Sequence, residues 1–408
     1  MTTNRVEIGF DLSGNPNLDF FVLDDAEKGL LDNTEFLLGG VIFFDVTDKV
    51  IGFDIQRGKS RFLDRYPAGS LSVRLDNNDR TFDPEFAASP YAGQIIPRRE
   101  VRVFSEDVLQ MEAVIDDWDL DYSPNGASVA SIVATDALTF FANQTLAAKT
   151  FSSQKSGERI IEVLNDPQVN WSVDKRSIET GLQTLQGDSV EDDTNVLEYI
   201  QKVVESEPGS FFIAKNGFVT YRDRIANQST GAITKFTDDS TGIPYKTVQV
   251  IYGSELLYNE VTINILDGDS VTRSSNESQI EYGIINLTLD GLLLNETSQA
   301  EDMATFLVSK YDAPEYRFNS VTIDLNNIPQ ADVDKVLALD LNDVCEIVFT
   351  PNNIPPAIER FAEIISINHR VTPTSHEVTF GFAALDLQFW RLSDAVFGRL
   401  SRGNSLAY

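Results

Sequence analysis

Asp117-Trp118-Asp119-Leu120-Asp121-Tyr122 alternates acidic and apolar side chains residue by residue. A helix would scatter these side chains around its circumference, whereas a strand, with its period of two, sorts them onto opposite faces. The segment reads as a strand with one buried and one solvated side. The same alternation recurs in Leu71-Ser72-Val73-Arg74-Leu75, in Glu260-Val261-Thr262-Ile263-Asn264-Ile265 and in Glu377-Val378-Thr379-Phe380-Gly381-Phe382. Strands therefore dominate the plan.

Turn signals join them. Lys215-Asn216-Gly217-Phe218 lies between two aromatic strands and Thr372-Pro373-Thr374-Ser375 between two long alternating runs, so both are expected to be hairpins. Three helices are marked. One runs from Gly157 to Asn165 behind a Ser156 cap and stops at Pro167; a second starts at a Thr194 cap and ends at Pro208-Gly209. The third, about Ser298 to Tyr311, carries Ala300, Met303, Ala304, Leu307 and Val308 as its apolar stripe. The fold class expected is mainly β with some α. A chain of 408 residues exceeds one core. The elements divide it into a first β domain (1–145), a mixed α+β domain (146–240), a second β domain with one inserted helix (241–385) and an aromatic C-terminal segment (386–408).

A hydrophobic fraction of 42%, with 26 Phe and 12 Tyr, excludes intrinsic disorder despite a net charge of −31. That surplus of acid cannot supply the cationic contacts on which nucleic-acid affinity rests, which argues against tight DNA binding. It leaves two readings: plain solubility, or a like-charge wall past which a polyanion slides. The lone Cys345 sits in an apolar run, so no disulfide framework is expected and the thiol reads as a small core residue. Met1 to Ile8 has no apolar signal core, and no 18 uncharged apolar residues run together, so neither export by a signal peptide nor a membrane anchor is expected.

Catalytic constellations are missing from the sequence: no Gly-x-Ser-x-Gly, no His-Glu-x-x-His, no phosphate-cradling loop and no dinucleotide fingerprint. His369 and His376 flank the Pro373 turn and approach each other across a hairpin, but a catalytic zinc needs a third ligand that the sequence does not offer. Gly187-Asp188-Ser189-Val190-Glu191-Asp192-Asp193-Thr194 resembles a calcium loop only in composition and lacks its ligand order, so it reads as a solvated loop ahead of a helix. No catalytic residue, cofactor or metal is expected. Asp117, Asp119 and Asp121 read as a wet strand face.

Positive charge gathers in one place. Arg57, Lys59, Arg61, Arg65, Arg74, Arg80, Arg98, Arg99 and Arg102 outnumber Asp64, Asp76, Asp79, Asp83, Glu85 and Glu100, so this stretch is net positive in an acidic chain. Seven of these, Arg57, Arg61, Arg65, Arg80, Arg98, Arg99 and Arg102, are candidate interface residues, because guanidinium groups pair carboxylates bidentately across protein contacts. Salt bridges inside the domain that hold a loop are the other reading, and the two are compatible.

The same stretch carries a resemblance. Arg57-Gly58, Leu63-Asp64-Arg65-Tyr66-Pro67-Ala68-Gly69-Ser70, Leu75-Asp76-Asn77-Asn78-Asp79-Arg80-Thr81-Phe82-Asp83-Pro84, Ser89-Pro90-Tyr91 and Pro97-Arg98-Arg99 together resemble the N-terminal signature of minor tail and tail-hub proteins of long-tailed bacteriophages. Thr135-Asp136-Ala137-Leu138, Gly217-Phe218-Val219-Thr220-Tyr221-Arg222, Leu257-Tyr258-Asn259-Glu260-Val261 and Leu387-Gln388-Phe389-Trp390-Arg391-Leu392 agree with that family in order. The resemblance implies a baseplate-hub-like fold, two small tube-type β-barrels around a mixed domain, with no catalytic residues to carry over. It implies a homotrimeric ring at the tail tip, assembled in the host cytoplasm. Its expected partners are distal tail or tail tube protein, tape measure protein and other tail-tip or fibre proteins, and genomic DNA would pass through without specific binding. Asp117, Asp119 and Asp121 are then candidates for the acidic lining of the channel. With only a short stretch following the second β block in this sequence, no dedicated lytic domain is expected. A six-fold distal tail ring, and a glycan-binding or wall-degrading tail-tip protein, are the alternatives.

Overall fold

The computed structural model describes residues 2–10, 42–124, 127–224, 226–227 and 231–385. Seven strands form the first β block: β1 (Asn4–Phe10), β2 (Ile42–Asp45), β3 (Val50–Gly58), β4 (Ser70–Asp76), β5 (Glu100–Ser105), β6 (Val108–Asp121) and β7 (Val129–Thr135). The mixed region follows, with helices α1 (Leu138–Ala142), α2 (Ser156–Leu164) and α3 (Val196–Ser206) and the strands β8 (Ser210–Ile213), β9 (Val219–Arg222) and β10 (Thr234–Thr237). The remainder comprises β11 (Thr247–Gly253), β12 (Glu260–Ile265), β13 (Ser270–Ser274), α4 (Asn276–Tyr282), β14 (Asn286–Leu292), α5 (Thr297–Tyr311), β15 (Glu315–Asp324), α6 (Gln330–Ala338), β16 (Val344–Phe349), β17 (Ile358–Thr372) and β18 (Ser375–Ala384). The chain is thus a β-rich α+β protein, as its alternating runs indicate.

Fourteen of the described strands join in one branched sheet: the short strand Ile243–Pro244 pairs with β10, the main path continues β10-β16-β17-β3-β4-β7-β6-β5-β1-β2, and β11, β15 and β18 attach through β17. Two small barrels were expected; among the described residues neither β block closes on itself through backbone pairing. The cause is β17. It is 15 residues long, and one of its edges is shared in tandem, residues 358–363 by β16 and 366–371 by β3, while the other edge is covered by β18. A strand engaged in this way fuses the two blocks.

Gly58 ends β3 at this junction with φ +102°, and a Cβ there would lie 2.1 Å from the carbonyl oxygen of Ile365. A side chain must therefore pay both backbone strain and separation of β3 from β17. Gly58→Ala is expected to cost about 2–3 kcal/mol, read from the urea midpoint, and a loss under about 0.5 kcal/mol would contradict this account of the junction.

Both expected hairpins are present, β8–β9 around Gly217 (φ +78°) and β17–β18 around Pro373. The three expected helices are present with shifted caps. At α2 the cap is Lys155, whose backbone N–H donates to Glu158, while Ser156 is already helical and turns its hydroxyl inward. At α3 the Asn195 side chain accepts from the Glu198 N–H at 3.0 Å, and Thr194 instead donates to the Glu191 carbonyl. Helices α4 and α6 were not foreseen: α4 buries only Ser278, and so has no apolar stripe to read, whereas α6 does carry one in Val333, Val336 and Leu337.

Among the described residues three apolar cores are present. The first fills the β1–β7 block with Val6, Phe53, Ile55, Leu71, Val73 and Val103 among others. The largest runs from α2 and α3 into the faces of β15–β18. A smaller one lies between α5 and the β12–β14 sheet, around Val261, Ile263, Met303 and Leu307.

Candidate functional site

β3 places Phe53, Ile55 and Arg57 on one face, and all three are buried. The guanidinium of Arg57 donates to the Ile213 carbonyl at 2.9 Å and to Asp340 Oδ1 at 2.7 Å. The other carboxylate oxygen of Asp340 accepts the Lys215 N–H at 2.9 Å. One side chain of the first β block thereby ties the β8–β9 hairpin to the loop that follows α6.

The residues after β3 continue the pattern. Lys59 is buried, donates to the Phe62 carbonyl at 2.7 Å and lies 4.5 Å from the centre of the Tyr66 ring. Burial pushes its ammonium down to about 8, against the opposing pull of Glu363. Glu363, itself buried, has its carboxyl pushed up by the same desolvation. Arg61 pairs with Glu255 at 2.7 Å, and Arg65 with Glu205 at 2.6 Å and with Gln201 at 3.0 Å. Those three arginines contact three separate parts of the chain. The 57–66 segment therefore works as an internal clamp.

The other candidate arginines act locally. Arg80, at φ 62°, pairs with Asp83 at 2.7 Å across a tight turn; Arg99 binds the Gln94 side chain; Arg102 lies 3.3 Å from Glu112 and over the Phe43 ring. Arg98 is the most exposed of the seven, at 60%, with Asp116 a distant 3.9 Å away. The seven thus divide into three whose partners lie in distant parts of the chain and four whose contacts stay within the first β block. Because exposed pairs at such separations contribute little, Arg98→Ala should change stability by less than about 0.5 kcal/mol in thermal or urea unfolding.

On β6 the acids do share a face. Gln110, Met111, Ala113 and Ile115 are buried, and the pairing with β7 then shifts register between Ile115 and Asp117. That bulge at Asp116, whose carboxylate accepts from Thr135 at 2.7 Å, reverses the sense of the alternation. Beyond it Asp117, Asp119 and Asp121 are exposed while Trp118 and Leu120 turn to the first core.

Three further groups are buried, and the sequence assigns none of them a role. Glu207 is fully buried at the end of α3 and accepts from the Ser156 hydroxyl at 2.5 Å and from the backbone N–H groups of Leu182 and Gln183. Arg159, also fully buried, donates to the Tyr199 hydroxyl and to the carbonyls of Ser152 and Gln186. Asp136 accepts from the N–H groups of Gly69 and Leu138, yet burial raises its carboxyl to about 6. Each has at least one partner far away along the chain, Ser156 for Glu207, Tyr199 for Arg159 and Gly69 for Asp136, which local sequence does not show. All three are hydrogen-bonded to the scaffold and serve to hold loops in place.

His369 and His376 do meet, Nδ1 to Nε2 at 3.1 Å, with the Thr2 hydroxyl 2.8 Å from the far nitrogen of His376. Burial holds both rings neutral. Among the described residues no group of three or more His, Cys, Asp or Glu side chains could hold a metal ion. Cys345 is buried, and desolvation pushes its thiol well up, which makes the thiolate inaccessible at neutral pH.

No protein-family model matches the chain, and no curated protein matches it by sequence. Solved structures match over most of its length. The 43 kDa tail protein of prophage MuSo2 from Shewanella oneidensis superposes with a TM-score of 0.57 at 10% identity, covering 94% of this chain and 98% of its own. The fold is that of phage tail proteins. A tail protein from Neisseria meningitidis MC58 agrees, with a TM-score of 0.56 at 10% identity over 84% of this chain and 93% of that one. At such low identity, what the tail-protein fold preserves is the arrangement of strands and helices rather than particular side chains.

Proposed function

We propose that this chain is a structural subunit of the phage tail tip, a hub or minor tail protein, three copies of which close a ring at the end of the tail tube. The observation that carries the reading is the tail-protein fold, shared over 94% of the chain. The signature from Arg57 to Arg102 supports it independently. Two β blocks fused through one long strand offer two comparable units per chain, so three chains would present six to a six-fold tube. The ring would dock distal tail or tail tube protein, tape measure protein and tail-tip or fibre proteins.

The exposed row Asp117, Asp119 and Asp121, in a chain of net charge −31, suits a lumen wall. Carboxylates facing the channel repel phosphate and deny DNA a stable binding site during ejection. The test is a phage in which all three are replaced by Lys. Tails should assemble normally, and ejection in vitro should slow and become salt-dependent. Unchanged ejection from well-formed particles would remove these residues from the lumen, and a basic wall in an imaged ring would overturn the channel reading.

A further inference from the structure

An amine, a carboxyl and a carboxamide come together where β3 and β16 adjoin on β17. β3 ends opposite Ser366 and β16 begins opposite Glu363, on the same edge. Between these points the pairing of β17 with β18 shifts register, leaving Ile365 as an extra residue. A regular strand turns consecutive carbonyls to opposite edges, and the bulge lets two of them serve one edge. The Lys59 N–H donates to the Ile365 carbonyl at 2.8 Å, and the Asn342 N–H to the Ile364 carbonyl at 2.8 Å. Lys59 and Asn342, far apart in sequence, are thereby docked on neighbouring peptide groups, beside Glu363.

Asn342 is fixed further. Its φ of +73° is a left-handed value that Asn tolerates, its carbonyl accepts from Asn227 Nδ2 at 2.8 Å, and its own Nδ2 donates to Glu363 Oε1. Glu363 and Lys59 are 5% and 6% exposed, and the charge of each opposes the other's desolvation. The rings of Tyr66 and Phe62 lie 4.5 and 5.3 Å from the Lys59 nitrogen. An ammonium lowered to about 8 supplies neutral amine near neutral pH, and a carboxyl raised by burial takes up a proton readily. We propose that Lys59 and Asn342 become joined by an amide bond within the folded chain, with Glu363 as the catalytic residue. The neutral Nζ attacks Asn342 Cγ, and the Nζ–Cγ bond forms as the Cγ–Nδ2 bond breaks. Glu363 takes one proton from Nζ and passes it to Nδ2, which leaves as ammonia. No oxidant, reductant or cofactor enters the balance. The bond from Nδ2 to Glu363 already sets the carboxyl at the leaving nitrogen. Lys310 borders the same recess, but it is only half-buried and lies over the Phe62 ring at 3.9 Å, so Lys59 is the amine assigned.

Such a bond would make the clamp covalent at the point where the two β blocks meet. The inference is independent of the tail-tip role, and it stands or falls with the isolated chain. The experiment is mass spectrometry on the folded full-length protein, kept at about pH 8 until its mass is constant and then denatured. The wild type should be lighter than its sequence by one ammonia, about 17 Da, and its digest should contain one branched peptide joining Lys59 to Asn342. Lys59→Arg and Glu363→Gln should both keep the full mass, with urea unfolding showing that each is folded. Should Glu363→Gln not fold, Glu363→Asp, whose carboxyl is withdrawn by one methylene, should link at least tenfold more slowly than the wild type. A wild type at its full sequence mass overturns the proposal and leaves Lys59 and Glu363 as a buried ion pair. So does a loss of ammonia that maps to other residues, a link from Lys310, or a link to Asn227. Linking of a folded Glu363→Gln at the wild-type rate would overturn the role given to the carboxyl.

Discussion

Arg57→Met should cost about 3–5 kcal/mol of folding stability, a large effect for a residue that the sequence places in a surface-like cluster of charge. The guanidinium is buried and makes its two hydrogen bonds to Ile213 and Asp340 across the meeting point of three parts of the chain. Methionine fills similar space but leaves the Ile213 carbonyl unpaired and Asp340 without its cation. Asp340 keeps its backbone donors, the N–H groups of Lys215 and Leu341, which places the expected cost toward the lower end of that range. Urea unfolding should show a lower midpoint with an unchanged slope. Arg98→Ala is the matched control. Equal effects from the two substitutions would mean that burial at the β3 junction does not matter.

The histidine pair gives the second large effect, and it depends on pH. His376 is held at about 4, first by burial, while His369 is lowered by burial and then by the nearness of His376, Arg57 and Lys215. The one acid acting on His376, Asp324, pulls the other way. In the unfolded chain both rings titrate near the ordinary histidine value. Between about pH 6.5 and 4 the unfolded state therefore binds more protons, and stability falls as the pH falls. For His376 alone the loss amounts to about 3 kcal/mol across that window. Asp136 and Asp343, both raised to about 6 chiefly by burial, act in the opposite sense, since folded-state protonation relieves them as the pH drops. The wild-type profile mixes these contributions. The difference between wild type and His376→Gln isolates the imidazole: the variant should lose about 3 kcal/mol less than the wild type between pH 7 and pH 4. Parallel stability curves for the two proteins would show that the ring is not held neutral in the fold.

Much of the fold can be read locally because a strand announces itself by its own alternation. Trp118 and Leu120 face a core and Asp117, Asp119 and Asp121 face solvent, as the acid–apolar pattern indicates. What alternation cannot reveal is which strand lies beside which, and so it gives no sign that β17 is shared between the two blocks. The bulge at Asp116 was hidden too, since its extra residue is defined only by the partner strand β7. Arg57 is a different matter. Phe53, Ile55 and Arg57 stand at i, i+2 and i+4, so the phase of β3 already placed the arginine on the apolar face. Composition marks the charge, and the period of β3 locates it. Partners such as Asp340, 283 residues away, lie beyond the reach of sequence reasoning. The Leu387–Leu392 resemblance falls outside the described residues.

Imaging a virion or an isolated tail that contains this chain, at a resolution where subunits can be counted, tests the central claim most directly. The account predicts three copies in a closed ring at the tail tip, two β blocks of each contributing to the wall, with Asp117, Asp119 and Asp121 turned to the lumen. A ring of six copies, a location away from the tip, or a lumen from which these three acids are absent would contradict it.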